Sequence, residues 1–163
     1  MKANRIALVD GDLVEQEVDG IVNAWNRNVF PWWLLLPQGV SASIKRKAGL
    51  APFRELRRHG VLPLGGAVVT TAGELPLKAI IHVAGIGLTW RASERSIRLS
   101  VRNAIALAST HAIARLAFPL IGAGTGGFTE QESQRIMLDE LGVVPFDGEA
   151  RVVRFRPIAA HGQ

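Results

Sequence analysis

The sequence contains no cysteine. That removes disulfides, thiolate metal ligands and cysteine nucleophiles, and it fits a reducing compartment. Long apolar runs are absent as well: the longest, Val29 to Pro37, is well short of the ~20 residues a membrane helix requires, and no apolar signal segment opens the chain. The expectation is a soluble, cytoplasmic protein with no membrane partner. No repeat, low-complexity tract or linker interrupts the 163 residues. His59, His82, His111 and His161 show no metal-ligand spacing with one another, so no metal site is expected. Acidic residues are the minority, 14 against 19 lysines and arginines. Much of the resulting net charge of +5 lies in Lys45-Arg46-Lys47 and Arg54 to Arg58, which favours an anionic partner without saying which.

What is present is ample core material. At 48% hydrophobic, with six Phe and four Trp, the chain can bury one core and has no room for a second domain of ordinary size. Residues 1–163 therefore read as a single unit, with a core from about 5 to 155 and a loose tail over 156–163. Short β-branched runs at Ile6 to Val9, Gly20 to Ala24, Ala67 to Thr71, Ala79 to Val83, Leu116 to Ile121 and Arg151 to Phe155 alternate with helical patterns, the signature of an α/β sheet of six strands. The clearest helix runs from about Ser93 to His111, with Ile97, Val101, Ala104, Ile105 and Ala108 on one face. Others cover roughly Glu130 to Leu141, Ser41 to Ala48 and Pro52 to Arg58, each ending at or near a glycine.

The most informative stretch is Phe118 to Phe128, an apolar run that empties into Gly122-Ala123-Gly124-Thr125-Gly126-Gly127. Four glycines in six residues allow successive backbone N–H groups to face one concavity and let an anion approach without a Cβ in the way. Thr129 and Glu132 have capping-box spacing, so a helix N-terminus follows directly and adds its positive end. Gly122, Gly124 and Gly127 also satisfy the dinucleotide fingerprint G-x-G-x-x-G. That fingerprint opens the first βαβ unit of a Rossmann domain, whereas here it follows the fifth strand and too little chain remains behind it. The phosphate-binding logic survives; the Rossmann fold does not.

Gly11-Asp12-Leu13, Val22-Asn23-Ala24-Trp25-Asn26, Gly39-Val40 with the helix to Ala48-Gly49, Ala67 to Thr70, Ile80-Ile81-His82 and the late glycine loop occur in the order typical of macro domains. The sequence resembles that family over roughly Arg5 to Phe155, and its loop ending in Gly-Gly-Phe is closer to the macro-histone type than to the hydrolase type. The resemblance implies a three-layer α/β/α fold with a mixed, mostly parallel six-stranded sheet. It also implies ADP-ribose, free or protein-linked, as the partner at the strand ends, with no cofactor. Asp12 would accept a hydrogen bond from the adenine amino group and Leu13 would offer a backbone N–H. Gly122, Ala123, Gly124, Thr125, Gly126 and Gly127 would wrap the diphosphate, with Gly39, Val40 and Ser41 closing from the other side. Phe128 would pack on a sugar face and Asn26 would contact the distal ribose.

Each residue also has a structural reading. Asp12 commonly caps a turn in this setting, Asn26 can bond its own backbone, Phe128 can be core, and His82 in an apolar strand is better read as a hydrogen-bonded structural histidine than as a catalytic one. Many ADP-ribosyl hydrolases of this fold carry a glycine run followed by Val-Asp in the first loop. Here Leu36-Pro37-Gln38-Gly39-Val40-Ser41 reduces the run to Gly39 and replaces the aspartate with Ser41, whose hydroxyl lacks the pKa of a general base. A binding module and a hydrolase with Asn26 as its catalytic residue both remain open, and a nucleic-acid binder ranks last because no RNA-binding motif is evident. The bulky segment Trp25 to Pro37 reads either as extra core over the sheet edge or as a lid or dimerisation patch.

Overall fold

The structure is a computed structural model that describes residues 4–28 and 39–156. The segments 29–38 and 157–163, and with them most of the bulky first loop, His161 and the tail, lie outside the described residues. In chain order the elements are β1 (Arg5–Gly11), β2 (Gly20–Asn26), α1 (Gly39–Ala48), α2 (Ala51–Arg58), β3 (Ala67–Thr70), β4 (Ala79–Ile86), α3 (Glu94–Thr110), β5 (Arg115–Pro119), α4 (Glu130–Val143) and β6 (Glu149–Phe155). The strands form one sheet in the order β1-β6-β5-β2-β4-β3. All neighbours are parallel except β3, which runs antiparallel to β4 at the edge. The expected α/β/α architecture with a mostly parallel six-stranded sheet is present.

Parallel strands need crossover helices, and these cover both faces, so the central strands read as nearly continuous apolar runs. Side-chain alternation then divides the core in two. Val22, Ile81, Val83, Phe118 and Val152 face α3 and α4, where they meet Ile97, Val101, Ile105, Ile136 and Met137. Ile21, Ile80, Ala84, Ala117 and Val153 face the other way, onto Ile44 of α1 and Phe53 and Leu56 of α2.

The helix boundaries follow from local chemistry. Ser93 and Thr129 cap α3 and α4, each in a reciprocal capping box, with Ser96 and Glu132 respectively. α4 runs to Val143, next to Gly142 and two residues past the approximate end expected at Leu141. Its carbonyl ends are held from elsewhere, since the Asn4 side-chain amide donates to the backbone oxygens of Leu141 and Val144, and its oxygen accepts from Phe146 N–H. A 3-10 turn at Leu13–Glu15, also unforeseen, follows β1.

α3 and α4 are joined by charge as well as packing. The buried Glu140 carboxylate accepts from Arg98 Nη1 at 3.2 Å and from Arg102 Nε, while Glu94 accepts from Arg98 Nη2 at 2.7 Å. Both guanidinium groups reach solvent, so loss of Glu140 leaves them hydrated, and the cost is that of charge-assisted hydrogen bonds and not of a stranded charge. Glu140→Gln is expected to lower the unfolding free energy by about 1–3 kcal/mol in urea denaturation, with an unchanged m-value.

Candidate functional site

The parallel strands all end on one side of the sheet, at Gly11, Asn26, Ile86, Pro119 and Phe155. Along that side β2 and β5 part. Their pairing consists of Gly20 with Leu116 and Ile21 with Ala117, whereas β2 stays paired with β4 from Gly20 to Asn26. Beyond Ile21 the ladder between β2 and β5 stops; Val22 and Phe118 still share the core, so the crevice between the two strands lies outside their carboxyl ends. The chain leaves β2 toward α1 on one face and leaves β5 toward α4 on the other, so the crevice is a topological switch point, where open α/β sheets bind their ligands.

The sequence-derived site residues converge on this end of the sheet from four directions. Asp12, directly after β1, caps the 3-10 turn through Oδ1, which accepts from Val14 N–H at 3.1 Å. Its Oδ2 accepts from the Ser43 hydroxyl of α1 at 2.8 Å. The capping role is thus present, and it leaves the carboxylate further lone pairs for a ligand. The Leu13 side chain is buried in the core on the α1 side.

Asn26 ends β2 at an irregularity: Trp25 faces Ala84 and Asn26 faces Ile86, leaving Gly85 as the extra residue of β4. Such a bulge re-aims the side chain beside it. Asn26 is buried, and its Oδ1 accepts from Asn28 N–H at 2.7 Å, so its oxygen serves its own turn. Asn28, at φ +61°, anchors that turn to Leu56 and Gly60 carbonyls. Trp25, the first residue of the bulky segment, is core, packed on Phe53 at 5.6 Å between ring centroids; its indole N–H has no acceptor among the described residues.

The late loop is less open than a row of free donors. Ala123, Gly124, Gly127 and Phe128 N–H groups donate within the loop, to the carbonyls of Leu120, Phe128, Gly124 and Gly122 respectively. Gly126 carbonyl accepts from Ala92 N–H at 2.9 Å. Gly122 is required there twice over: its φ is +83°, and a Cβ would lie 2.9 Å from Ala92 Cβ and Ile97 Cδ1. Gly124, Thr125 and Gly127 are exposed at the tip, and Phe128 is half-buried against the α3–α4 core. The capping box engages two donors at the start of α4, Thr129 N–H and Glu132 N–H. Opposite, Gly39, Val40 and Ser41 form the first turn of α1.

Sequence reasoning missed what joins these parts. Ser41 Oγ donates to Asn23 Oδ1 at 3.2 Å, Asn23 Nδ2 lies 3.1 Å from His82 Nδ1, and His82 Nε2 lies 2.8 Å from Thr70 Oγ1. Asn23, His82 and Thr70 occupy neighbouring strands β2, β4 and β3 on the α1–α2 face, and all are buried. The available signal was a polar residue at an inward position of two otherwise apolar strands. Ser43 gave the same signal, lying next to Ile44 on the buried side of α1. Among the described residues, no three of His, Asp and Glu gather as metal ligands.

Comparison with known proteins gives a consistent result. The family model for the Macro domain matches residues 22–137. The chain is 36% identical over 134 residues to a Klebsiella pneumoniae protein named O-acetyl-ADP-ribose deacetylase, covering 77% of this chain and 73% of that one. It is 32% identical over 145 residues to a macro domain-containing protein of Methanosarcina mazei, covering 86% and 74%. Among solved structures, a mutant Oceanobacillus iheyensis macrodomain with ADPR superposes with a TM-score of 0.79 at 29% identity, over 95% of this chain and 87% of that one.

Burial pushes the His82 imidazolium down to about 3 from 6.5, and the charge of His59 adds to the effect. Between those values the unfolded chain binds a proton that the folded chain refuses, so folding stability falls as pH drops from about 6.5 toward 3. The expected slope from this group approaches about 1.4 kcal/mol per pH unit. Urea unfolding of His82→Gln at pH 7, 6, 5 and 4 should show a shallower acid loss than the wild type.

Proposed function

The chain belongs to the macro domain family, and from that premise we propose that the crevice between β2 and β5 binds ADP-ribose, free or as the modification of a protein. The observation that carries the reading is the parting of the two strands at the switch point, with a glycine loop on one side and the Asp12–α1 seam on the other. In this reading Asp12 accepts from the adenine amino group and Leu13 N–H donates beside it. The first turn of α1, at Gly39 to Ser41, and the loop from Gly122 to Gly127 flank the diphosphate. The α1 turn offers the N–H groups and the positive end of a helix N-terminus. Phe128 packs on a sugar and Asn26 holds the distal ribose. We place the protein in the cytoplasm on its cysteine-free composition; no helix among the described residues is long and apolar enough to cross a membrane.

A second reading, hydrolysis of O-acetyl-ADP-ribose or an ADP-ribosyl ester, is favoured by the name of the Klebsiella pneumoniae relative. Against it stands Ser41, which carries no charge at neutral pH where the hydrolase pattern has aspartate. Asn26 is then the catalytic residue to test.

Calorimetric titration with ADP-ribose, AMP and NAD separates these readings. Asp12→Asn keeps one oxygen for the cap and is expected to weaken ADP-ribose and AMP alike by roughly tenfold or more, the worth of a hydrogen bond to a charged group. Asn26→Ala should weaken ADP-ribose and spare AMP. A wild-type chain that binds none of the three would refute the ligand assignment. Acetate release from O-acetyl-ADP-ribose that disappears in Asn26→Ala supports the hydrolase; a wild type that releases none removes it.

A further inference from the structure

An edge strand exposes a row of unpaired N–H and C=O groups unless something covers it. The two edges of this sheet differ. β3 is four residues long, and the chain leaving it is held by Glu55 of α2, whose carboxylate accepts from Thr71 N–H at 2.8 Å. β1 is seven residues long, with no proline and with charge only at Arg5 and Asp10. The Gly11 carbonyl accepts from Arg156 N–H on the β6 side. Main-chain groups alternate in direction along a parallel strand, so Arg5, Ala7, Val9 and Gly11 direct theirs at β6, while Ile6, Leu8 and Asp10 direct theirs outward. Among the described residues nothing bonds those outward groups. Ile6 and Leu8 stand in register with Ala150 and Val152, which places them on the α3–α4 face. They are 37% and 36% exposed, so an apolar pair flanks an open main-chain edge.

We propose that β1 is the docking edge for a second copy of this chain, paired antiparallel about a two-fold axis opposite Ala7. Such an axis stands perpendicular to the sheet and brings like faces together, so residues of equal parity meet and the axis always falls opposite a residue. With the axis at Ala7, Ile6 faces Leu8 of the second copy twice over, Arg5 faces Val9 and Asp10 faces Asn4. Ile6 and Leu8 then exchange both main-chain bonds, since both direct their groups outward, and no like charges oppose one another. An axis at Leu8 sets Ile6 against Asp10, and an axis at Ile6 sets Leu8 against Asn4. The strand is thus self-complementary in one register, which singles out a second copy over an unrelated strand. The junction joins two six-stranded sheets edge to edge and points their strand ends in opposite directions. It is independent of the ligand the crevice takes. One strand with its flanking side chains lies at the low end of interface sizes, so the dimer forms with concentration and is not obligate.

Sedimentation equilibrium of the full chain from about 1 μM to 1 mM tests the pairing. The wild type is expected to pass from monomer to dimer within that range. Ile6→Glu and Leu8→Lys should each raise the dimer dissociation constant by about tenfold or more, because each change is felt twice across the axis. Combined, they set a carboxylate opposite an ammonium in the Ala7 register and in neither neighbouring one, so the double variant should recover the association that each single change loses. Leu8→Pro removes an outward N–H and no bond to β6, and should give a folded monomer; if it fails to fold, the two charged variants carry the test. Amide exchange of Ile6 and Leu8 should slow as concentration rises, while Ala7 and Val9 stay slow throughout. A wild type that remains monomeric across the range overturns the proposal. A dimer that survives both charged variants uses another surface and overturns it equally, and a double variant weaker than both single ones overturns the register.

Discussion

Because β2 and β4 are covered on both faces, most of their side chains lie beyond the reach of bulk water, and a polar group placed there is costly unless it finds a partner inside the protein. That constraint organises the α1–α2 side of the molecule. Asn23 and His82 interrupt two apolar strands, and each is satisfied only because its neighbour in the sheet or the helix above supplies a matching group. Pairing of that kind depends on direction and reach, so it specifies how α1 sits on the sheet more narrowly than apolar contact between Ile44, Phe53 and Leu56 does. On the opposite face the same requirement is met by Ser96 and Ser133, which donate to the carbonyls of Gly85 and Ile121. Those two bonds brace the β4 irregularity and the entrance to the late loop from below.

The crevice follows from the topology. Strand β5 must pair with β6 along its length and with β2 only at its start, and once the connections to α1 and α4 leave on opposite faces nothing draws the strand ends together. Around the opening, rigid elements carry the polar groups. Asp12 is fixed by Val14 N–H and Ser43, Asn26 by its own turn, and the glycine loop by four internal hydrogen bonds and by Ala92. A site held in this way is largely formed before a ligand arrives, which reduces the ordering cost of binding. It also narrows the donors the loop retains, since four of its N–H groups are engaged within the loop.

Features that depend on neighbouring residues were legible in the sequence. The capping box of Thr129 and Glu132, the helical periodicity from Ile97 to Ala108, the six strands and the left-handed glycines of the late loop all arise within a few residues of one another. Contacts made across long separations were not. Asn4 bonds a carbonyl at the end of α4 from 137 positions away, and Ser43 meets Asp12 across 31. Of the alternatives at Asp12 and Asn26, the structural one is present: each bonds its own turn, and a side chain with several donor or acceptor positions has capacity beyond that.

The sequence by itself determined the fold class, the family, the place of the glycine loop and the serine that stands at the first-loop aspartate position, because composition, periodicity and motif order are properties of the chain as written. The tertiary structure alone decided that β2 and β5 part, that the late loop engages most of its own donors, and that Ser41 is tied through Asn23 and His82 to the far edge strand. Those outcomes depend on which strands become neighbours and on which buried side chains meet. No local pattern encodes either, since both are settled only in the assembled core.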